Sequence, residues 1–148
     1  MTPEEFTAGI ENWCSHLRFL WMAFIATTGP VMELGMGDGS TPRLGRFSAA
    51  TKRAVFSFDN HKEWTNKFRG SSSDLHTITD ISDYSLAPIE NRQWSVVLVD
   101  HAPGERRWIE LDRLSKNPNV DYVVVHDAEP QSTGYGLSAS WPNWKSVR

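Results

Sequence analysis

Residues 31–42, VMELGMGDGSTP, place three glycines within five positions, directly after a short apolar run that contains a carboxylate. Glycine costs about 0.5 to 1 kcal/mol relative to alanine inside a regular element, so such a run usually meets a geometric requirement. The first four residues have strand character, and Ser40 or Thr41 can begin a helix. The stretch therefore predicts a strand, a tight turn whose bare backbone is approached closely by another group, and a helix.

Short apolar runs alternate with helical or loop segments along the rest of the chain. Further strands are predicted at residues 54–58, 75–79, 94–100 and 121–127, and the last two are almost continuously apolar. This rhythm is typical of βαβ units in a parallel sheet, and continuously apolar strands are typically covered on both faces. We therefore expect an α/β fold with about five mostly parallel strands, flanked by helices that include one at 61–68 and one within 104–116.

The N-terminal segment contains a complete helix start. Thr2 supplies a hydroxyl cap, Pro3 occupies the first helical position, and Glu5 stands three residues after the cap. Apolar residues recur near a 3.6-residue period through residues 6–24, and the sequence TTGP at 27–30 ends the run. We expect one helical face of this segment to cover the sheet.

The chain is expected to form one domain over residues 1–148, because a chain of this length can bury a single core. Residues 1–29 are its helical cover. Residues 131–148 contain Gly, Ser and Pro without a long apolar alternation, so we expect an irregular tail there.

Composition and charge exclude several classes of function. The net charge of −3 leaves no basic stripe for nucleic acid, and the lone Cys14 suits a small core residue in a reducing cytoplasm. The most apolar segment, FLWMAFIA at 19–26, is shorter than the roughly 20 residues that span a bilayer, and the acidic start MTPEEF does not resemble a signal peptide. We expect a cytoplasmic protein that binds neither nucleic acid nor membrane.

The glycine turn lies where ligands bind in open α/β sheets, beyond the carboxyl ends of the strands. Gly35, Gly37 and Gly39 would let a ligand lie against the backbone. Asp59, about 20 residues past the last glycine, ends the second predicted strand, where a carboxylate can bind both hydroxyls of a ribose. The pattern therefore favours an adenosine-containing ligand over the alternative of an ordinary strand-to-helix turn.

Glu33 decides between two such ligands. The pyrophosphate of a nicotinamide dinucleotide would be repelled by a carboxylate beside the glycine turn, whereas the amino group and sulfonium of S-adenosylmethionine would be attracted. S-adenosylmethionine is therefore the expected cofactor, and a nicotinamide-linked oxidoreductase is the weaker alternative.

The same residues resemble a known family. ELGMGDGS at 33–40 is similar to the first motif of class I S-adenosylmethionine-dependent methyltransferases, and FSFDN at 56–60 is similar to their acidic second motif. VVLVDHAPGERR at 96–107 and VVVHDAEP at 123–130 resemble a subgroup of small bacterial members. The resemblance, from about residue 31 to 130, implies a Rossmann-like fold.

By this resemblance, the methionine end of the cofactor contacts Glu33, Gly35 and Gly37, the ribose contacts Asp59, and the adenine lies near Asn60 or the region of Asp80. The whole expected set of cofactor-contacting residues is Glu33, Gly35, Met36, Gly37, Gly39, Ser40, Asp59, Asn60, Asp80 and Asp100.

The chain departs from the family pattern after the fifth strand. The family sheet has seven strands, of which the last two form an antiparallel hairpin, but this sequence ends 18 residues after Pro130. Strand five would then be an apolar edge, which invites association unless it is covered. We expect the tail with Trp141 and Trp144 or a second subunit to cover it, and therefore a homo-oligomer or a shortened chain.

Acids and histidines follow the two central strands and should meet at the same sheet edge. Asp100 and Asp127 are similar in spacing to the Mg²⁺-binding acids of catechol-type methyltransferases, with Glu129 as a third ligand, and Mg²⁺ prefers such oxygen ligands. If methyl transfer does not use a metal ion, we expect His101 to be the general base, because imidazole accepts protons near neutrality. The expected catalytic residues are Asp100, His101 and Asp127, and the metal ligands are Asp100 and Asp127.

Three further residues carry two interpretations each. His126 is either catalytic or a strand-end histidine bonded to a backbone carbonyl. Arg106 and Arg107 either bind an anion near Gly104 or form a solvated first helical turn, and we favour the solvated turn for Arg107. His16, His61 and His76 are expected to be structural or exposed.

Taken together, the sequence predicts an S-adenosylmethionine-dependent methyltransferase that acts on an oxygen or nitrogen of a small acceptor. Two alternatives remain open. One is an enzyme that cleaves S-adenosylmethionine, and the other is a module that binds this ligand without chemistry.

Overall fold

The sheet has five strands, all parallel, in a computed structural model that describes residues 1–9, 14–70 and 73–128. The strand order is β3-β2-β1-β4-β5. The strands are β1 (Val31–Leu34), β2 (Val55–Asp59), β3 (His76–Asp80), β4 (Trp94–Val99) and β5 (Val120–Val125). The helices are α1 (Pro3–Thr7), α2 (His16–Ile25), α3 (Thr41–Thr51), α4 (Lys62–Phe68) and α5 (Arg107–Ser115). The predicted α/β class with five parallel strands is confirmed, and the arrangement is consistent with a Rossmann-like fold.

The centre of the sheet lies at β1, which pairs with β2 on one side and with β4 on the other. The chain runs outward from β1 to β3, returns to β4 beside β1, and then runs outward to β5. The strand order therefore reverses between β1 and β4. In open parallel sheets, this reversal point is where the loops beyond the strand ends diverge and leave a crevice.

Two apolar layers cover the sheet, because side chains alternate between its faces along each strand. Val31 and Val96 belong to the layer that contains the buried side chains of α1, α2 and α3. Met32 and Val97, one residue later in each strand, belong to the layer that contains Leu111 of α5. Every residue of β1 and β4 is buried.

The predicted strands lie within one or two residues of the observed ones, but β5 differs in its coverage. Asp121 and Tyr122 are exposed, and among the described residues β5 pairs only with β4. The expectation that this strand is covered on both faces is therefore wrong for the part of the chain that the structure describes. The predicted tail at 131–148, with Trp141 and Trp144, lies outside the described residues.

The N-terminal cover also differs from the expectation of one continuous helix. The predicted capping box of Thr2 and Glu5 is confirmed, but α1 ends at Thr7 and α2 begins at His16. Gly9 has a left-handed φ of +69°. Arg43 of α3 donates hydrogen bonds to the carbonyl oxygens of Phe6 and Ala8 at 3.0 and 2.6 Å. These contacts satisfy carbonyls that a continued helix would have used, so a contact from α3 stabilises the end of α1.

None of the helices in the described part of the chain is both long enough and apolar enough to cross a membrane.

Candidate functional site

The turn after β1 lies against the backbone that follows β4. Gly35 has a φ of +95°, and a Cβ atom there would lie 2.4 Å from both the backbone nitrogen and the Cα of His101. No other residue fits such a position without moving one of the two loops. Gly37, two positions later, would have no atom within 4 Å of an added Cβ. Gly35 thus serves packing inside the protein, whereas Gly37 faces open space.

The backbone amides of this turn already have partners within the protein. The Gly35 amide donates to the Phe58 carbonyl at 2.9 Å, and the Met36 amide donates to Oδ2 of Asp59 at 2.7 Å. The Gly37 amide donates to Oγ1 of Thr41 at 2.9 Å. Three consecutive amides are therefore unavailable to a phosphate, which needs such donors at a glycine turn.

Glu33, a residue of strand β1, anchors the start of α3. Its side chain is fully buried, and its carboxylate accepts hydrogen bonds from the hydroxyls of Ser40 at 2.5 Å and of Thr41 at 3.1 Å. Burial raises the pKa of Glu33 to about 7, although the Ser40 and Thr41 hydroxyls oppose part of that rise. Ser40 and Thr41 are thus tied to β1 beneath the turn, and Glu33 has no exposed surface in this structure.

Asp59 joins the ends of β1 and β2. Its Oδ2 accepts from the Met36 amide, and its Oδ1 accepts from the His61 amide at 2.7 Å. The side chain is buried, while Asn60, the next residue, is exposed. Asp80 is exposed and pairs with Asp59 in the β2–β3 register, so the two acids lie at one sheet edge. A carboxylate has about four acceptor positions, so two amide bonds leave Asp59 acceptor capacity for a hydroxyl group.

His101 lies beneath the loop after β4 and is 2% exposed. Its Nε2 is 2.8 Å from Oε2 of Glu110, which is also buried, and its ring stacks on Tyr84 with centroids 4.2 Å apart. Burial, together with the nearby charge of Asp59, raises the pKa of the Tyr84 hydroxyl. Glu110 was not singled out from the sequence. It stands at the spacing of Arg107, Leu111 and Leu114 on the buried face of α5, and that spacing was a usable signal.

Arg107 joins the loops that follow β4 and β5. It is 4% exposed, so the expectation of a solvated first turn is wrong for this residue. Its Nε donates to the His101 carbonyl at 2.8 Å, and its two terminal nitrogens lie 3.1 Å from Oδ1 of Asp100 and 3.7 Å from Oδ2 of Asp127. A guanidinium therefore contacts both carboxylates that were expected to hold Mg²⁺. Arg106 is half exposed and pairs with Asp83 at 3.6 Å.

The imidazole of His126 contacts two carboxylates, whereas the structural alternative from the sequence was a backbone carbonyl. Its Nδ1 lies 2.9 Å from Oδ1 of Asp100, and its Nε2 lies 3.4 Å from Oδ1 of Asp127. Burial lowers the pKa of His126, but the hydrogen bond and charge of Asp100, with the charge of Asp127, outweigh this effect and raise it overall. Asp127 itself has a positive φ of 54°, which turns its side chain within reach of the His126 ring.

His16 is a member of this group that sequence reasoning left as structural or exposed. It is 4% exposed, and its ring centroid lies 4.4 Å from that of His126. Burial, chiefly, lowers its pKa to about 4. His16 precedes Leu20, Ala23 and Phe24 at the spacing of one helical face, and all three are buried, so the periodicity could have placed it in the core. Of the other two, His76 is buried and bonds to Ser57 at 2.8 Å, and His61 is exposed.

The structure thus brings most of the predicted residues to one edge of the sheet, in two neighbouring groups. The turn Gly35, Met36, Gly37, Gly39 and Ser40 lies beside Asp59, Asn60 and Asp80, and Asp100, His126 and Asp127 gather around Arg107. Glu129, expected as a third metal ligand, lies outside the described residues. Whether any of these residues contacts a cofactor stays a prediction.

Comparisons of this chain with protein-family models, with curated proteins and with solved structures found no match.

Proposed function

We propose that this protein binds S-adenosylmethionine beyond the carboxyl ends of β1 and β2 and transfers its methyl group to an oxygen or nitrogen of a small acceptor. The observation that carries the proposal is the state of the glycine turn. It stands at the strand-order reversal, its amides at Gly35, Met36 and Gly37 are occupied, and its neighbour on β2 is the carboxylate of Asp59. That combination favours a cationic nucleoside over an anionic dinucleotide.

The choice between the two ligands rests on hydrogen-bond capacity. A pyrophosphate at a Rossmann-like turn is held by free backbone amides at a helix start. Here the amides of Gly35, Met36 and Gly37 are used within the protein, so a pyrophosphate would have to break these bonds. A nucleoside with a sulfonium and an amino group needs hydrogen-bond acceptors and negative charge instead. The carboxyl ends of β2 and β3 carry the carboxylates of Asp59 and Asp80.

Two observations support the position of the ligand. Gly37 faces open space, so a ligand can approach the backbone there without displacing protein atoms. Asp59 is fixed by two amides, so its remaining acceptor positions are held in a defined direction, which suits hydrogen bonds to the ribose of the proposed ligand.

The acceptor side is proposed for the second group of residues. The side chains of Asp100 and Asp127 are 21% and 41% exposed, whereas that of His101 is 2% exposed and bonds to Glu110. We therefore assign contact with the acceptor to Asp100 and Asp127, and support of the loop to His101. When bound, S-adenosylmethionine supplies an electrophilic methyl group, and the protein contributes mainly the alignment of the acceptor with it.

Incubation with methyl-labelled S-adenosylmethionine and fractionated small acceptors tests the proposal. Label that moves to an acceptor supports methyl transfer. Label in a product that forms without any acceptor would instead identify cleavage, and label that stays on the bound ligand would identify a binding module. Matched titrations with the oxidised nicotinamide dinucleotide should show no binding.

A further inference from the structure

Three side chains from distant parts of the sequence converge where α2 begins and β4 and β5 end. His16 is the first residue of α2, Asp100 follows β4, and His126 follows β5. One ligating atom of each lies within 4.8 Å of those of the other two. Among residues 1–9, 14–70 and 73–128, this is the one group of three or more His, Cys, Asp or Glu side chains with this geometry.

His16 gives a second, independent indication of a ligand. Both of its ring nitrogens are buried, and neither has a hydrogen-bond partner within the described part of the chain. The ring is 4% exposed and faces the His126 ring at 4.4 Å with an interplanar angle of 61°. Buried polar atoms in native proteins are almost always satisfied, and a bound ion is one established explanation of an exception; His16 is the one described histidine with both ring nitrogens buried and unpaired.

We propose that His16, Asp100 and His126 bind a divalent transition-metal ion. Two imidazoles and one carboxylate are the ligand types that Zn²⁺ and its neighbours in the first transition row accept, whereas Mg²⁺ prefers an all-oxygen set. The site shares only Asp100 with the carboxylate pair expected from the sequence. The proposed metal site can bind its ion whether or not S-adenosylmethionine is bound.

The geometry requires a modest rotation of the side chains. An ion at about 2.0 Å from each ligand atom holds the ligand atoms roughly 3 Å apart. In this structure the three ligand atoms lie up to 4.8 Å apart, so they must move closer together. His126 already presents Nδ1 to Asp100 at 2.9 Å, so Nδ1 is the ligating nitrogen. Its Nε2 then faces Oδ1 of Asp127 at 3.4 Å, and such a carboxylate commonly orients a metal-bound histidine.

Arg107 positions two of the ligands and limits the affinity. It contacts Oδ1 of Asp100 and the carbonyl oxygen of His126, so it fixes the ends of β4 and β5 relative to each other. Its positive charge repels a cation, so the ion takes the other oxygen of Asp100. We therefore expect weaker binding than at a closed structural zinc site.

A calorimetric titration of the full chain with Zn²⁺, without S-adenosylmethionine, tests the site. We expect one ion per chain and a metal-dependent rise in melting temperature. The variant His16→Ala should bind at least tenfold more weakly, while His61→Ala, which removes an exposed histidine, should bind like the unaltered protein. Excess Mg²⁺ should not displace the Zn²⁺.

Several outcomes would overturn this site. They are no stoichiometric Zn²⁺ binding, equal affinity in His16→Ala, or displacement by Mg²⁺. Should His16→Ala fail to melt cooperatively, His16→Gln and His126→Gln replace it with the same expected loss. Because S-adenosylmethionine is left out, the result is independent of whether methyl transfer occurs.

Discussion

Gly35 and Gly37 stand two positions apart in one turn but meet different surroundings. A side chain at Gly35 would overlap the backbone of His101, and the φ of +95° is one that L-residues rarely adopt. At Gly37 no atom lies within 4 Å of an added Cβ, and its φ lies outside that range. The two glycines therefore have different physical roles, although they are the same residue type in one turn.

We expect Gly35→Ala to destabilise the protein by about 3 kcal/mol or more, because overpacking adds to an unfavourable backbone conformation. Gly37→Ala is the matched control and should change the free energy of unfolding by less than about 1 kcal/mol. Urea denaturation of both variants measures the difference. Equal losses would mean that the approach to His101 is not what the glycine serves.

Glu33 makes the stability depend on pH in a direction opposite to that of most carboxylates. Its pKa is raised from 4.5 to about 7 by burial, so the folded state holds the proton more tightly than the unfolded chain does. This contribution to stability is complete below pH 4.5 and is lost as the pH rises through 7.

Replacing Glu33 by Gln should remove that dependence. Each pKa unit corresponds to about 1.4 kcal/mol, so between pH 5 and 8 the unaltered protein should lose on the order of 2 to 3 kcal/mol relative to Glu33→Gln. Urea denaturation at several pH values gives the difference. The comparison with the variant cancels the opposite effect of His76, whose pKa is lowered by burial to about 4. Parallel stability curves for the two proteins would contradict the raised pKa.

Helix α5 holds the two loops that follow β4 and β5 through one side chain. Arg107 is its first residue and bonds to groups that follow β4 and β5. A lysine cannot make these contacts together, because it lacks the planar fork of the guanidinium.

We expect Arg107→Lys to destabilise the protein by about 3 kcal/mol, since the buried guanidinium bonds to two backbone carbonyls and to the half-buried carboxylate of Asp100, and a lysine leaves part of this set unpaired. Arg106→Lys, one position earlier and half exposed, should cost less than about 0.5 kcal/mol. Thermal or urea unfolding of the two variants measures the difference in their free energies of unfolding. A small effect at Arg107 would show that other contacts hold the two loops.

The elements differ in how far the sequence could predict them. β4 and β5 were readable because they are almost continuous apolar runs, as is typical of parallel strands, and α3 was readable because Ser40 follows the turn after β1. The break between α1 and α2 was not readable, because it depends on Gly9 and on Arg43, which is far along the chain. Arg107 was misjudged because residue type was weighed above its position on a buried helical face.

In the whole molecule, the exposed side of strand β5 is the feature that favours association with another chain. In the described part of the chain β5 pairs with β4 alone, and Tyr122 is 42% exposed. Edge strands with unpaired backbone groups pair readily with another chain unless charge or covering structure prevents it.

We therefore expect a homo-oligomer, measured by light scattering after size exclusion at micromolar concentrations. Tyr122→Lys should shift the protein toward the monomer, because charge on an edge opposes pairing. Leu86→Lys, a change at another exposed apolar residue, should not. A monomeric unaltered protein across the concentration range would contradict the expectation.

The central claim is that S-adenosylmethionine lies against the backbone of the glycine turn. Calorimetric titration of the unaltered protein and of Gly37→Leu tests it most directly, because an added Cβ there has no protein atom within 4 Å and the side chain would occupy the space proposed for the ligand. We predict saturable binding to the unaltered protein and at least tenfold weaker binding to Gly37→Leu, at an unchanged melting temperature. No binding to the unaltered protein, or equal affinity in the two, would contradict the account.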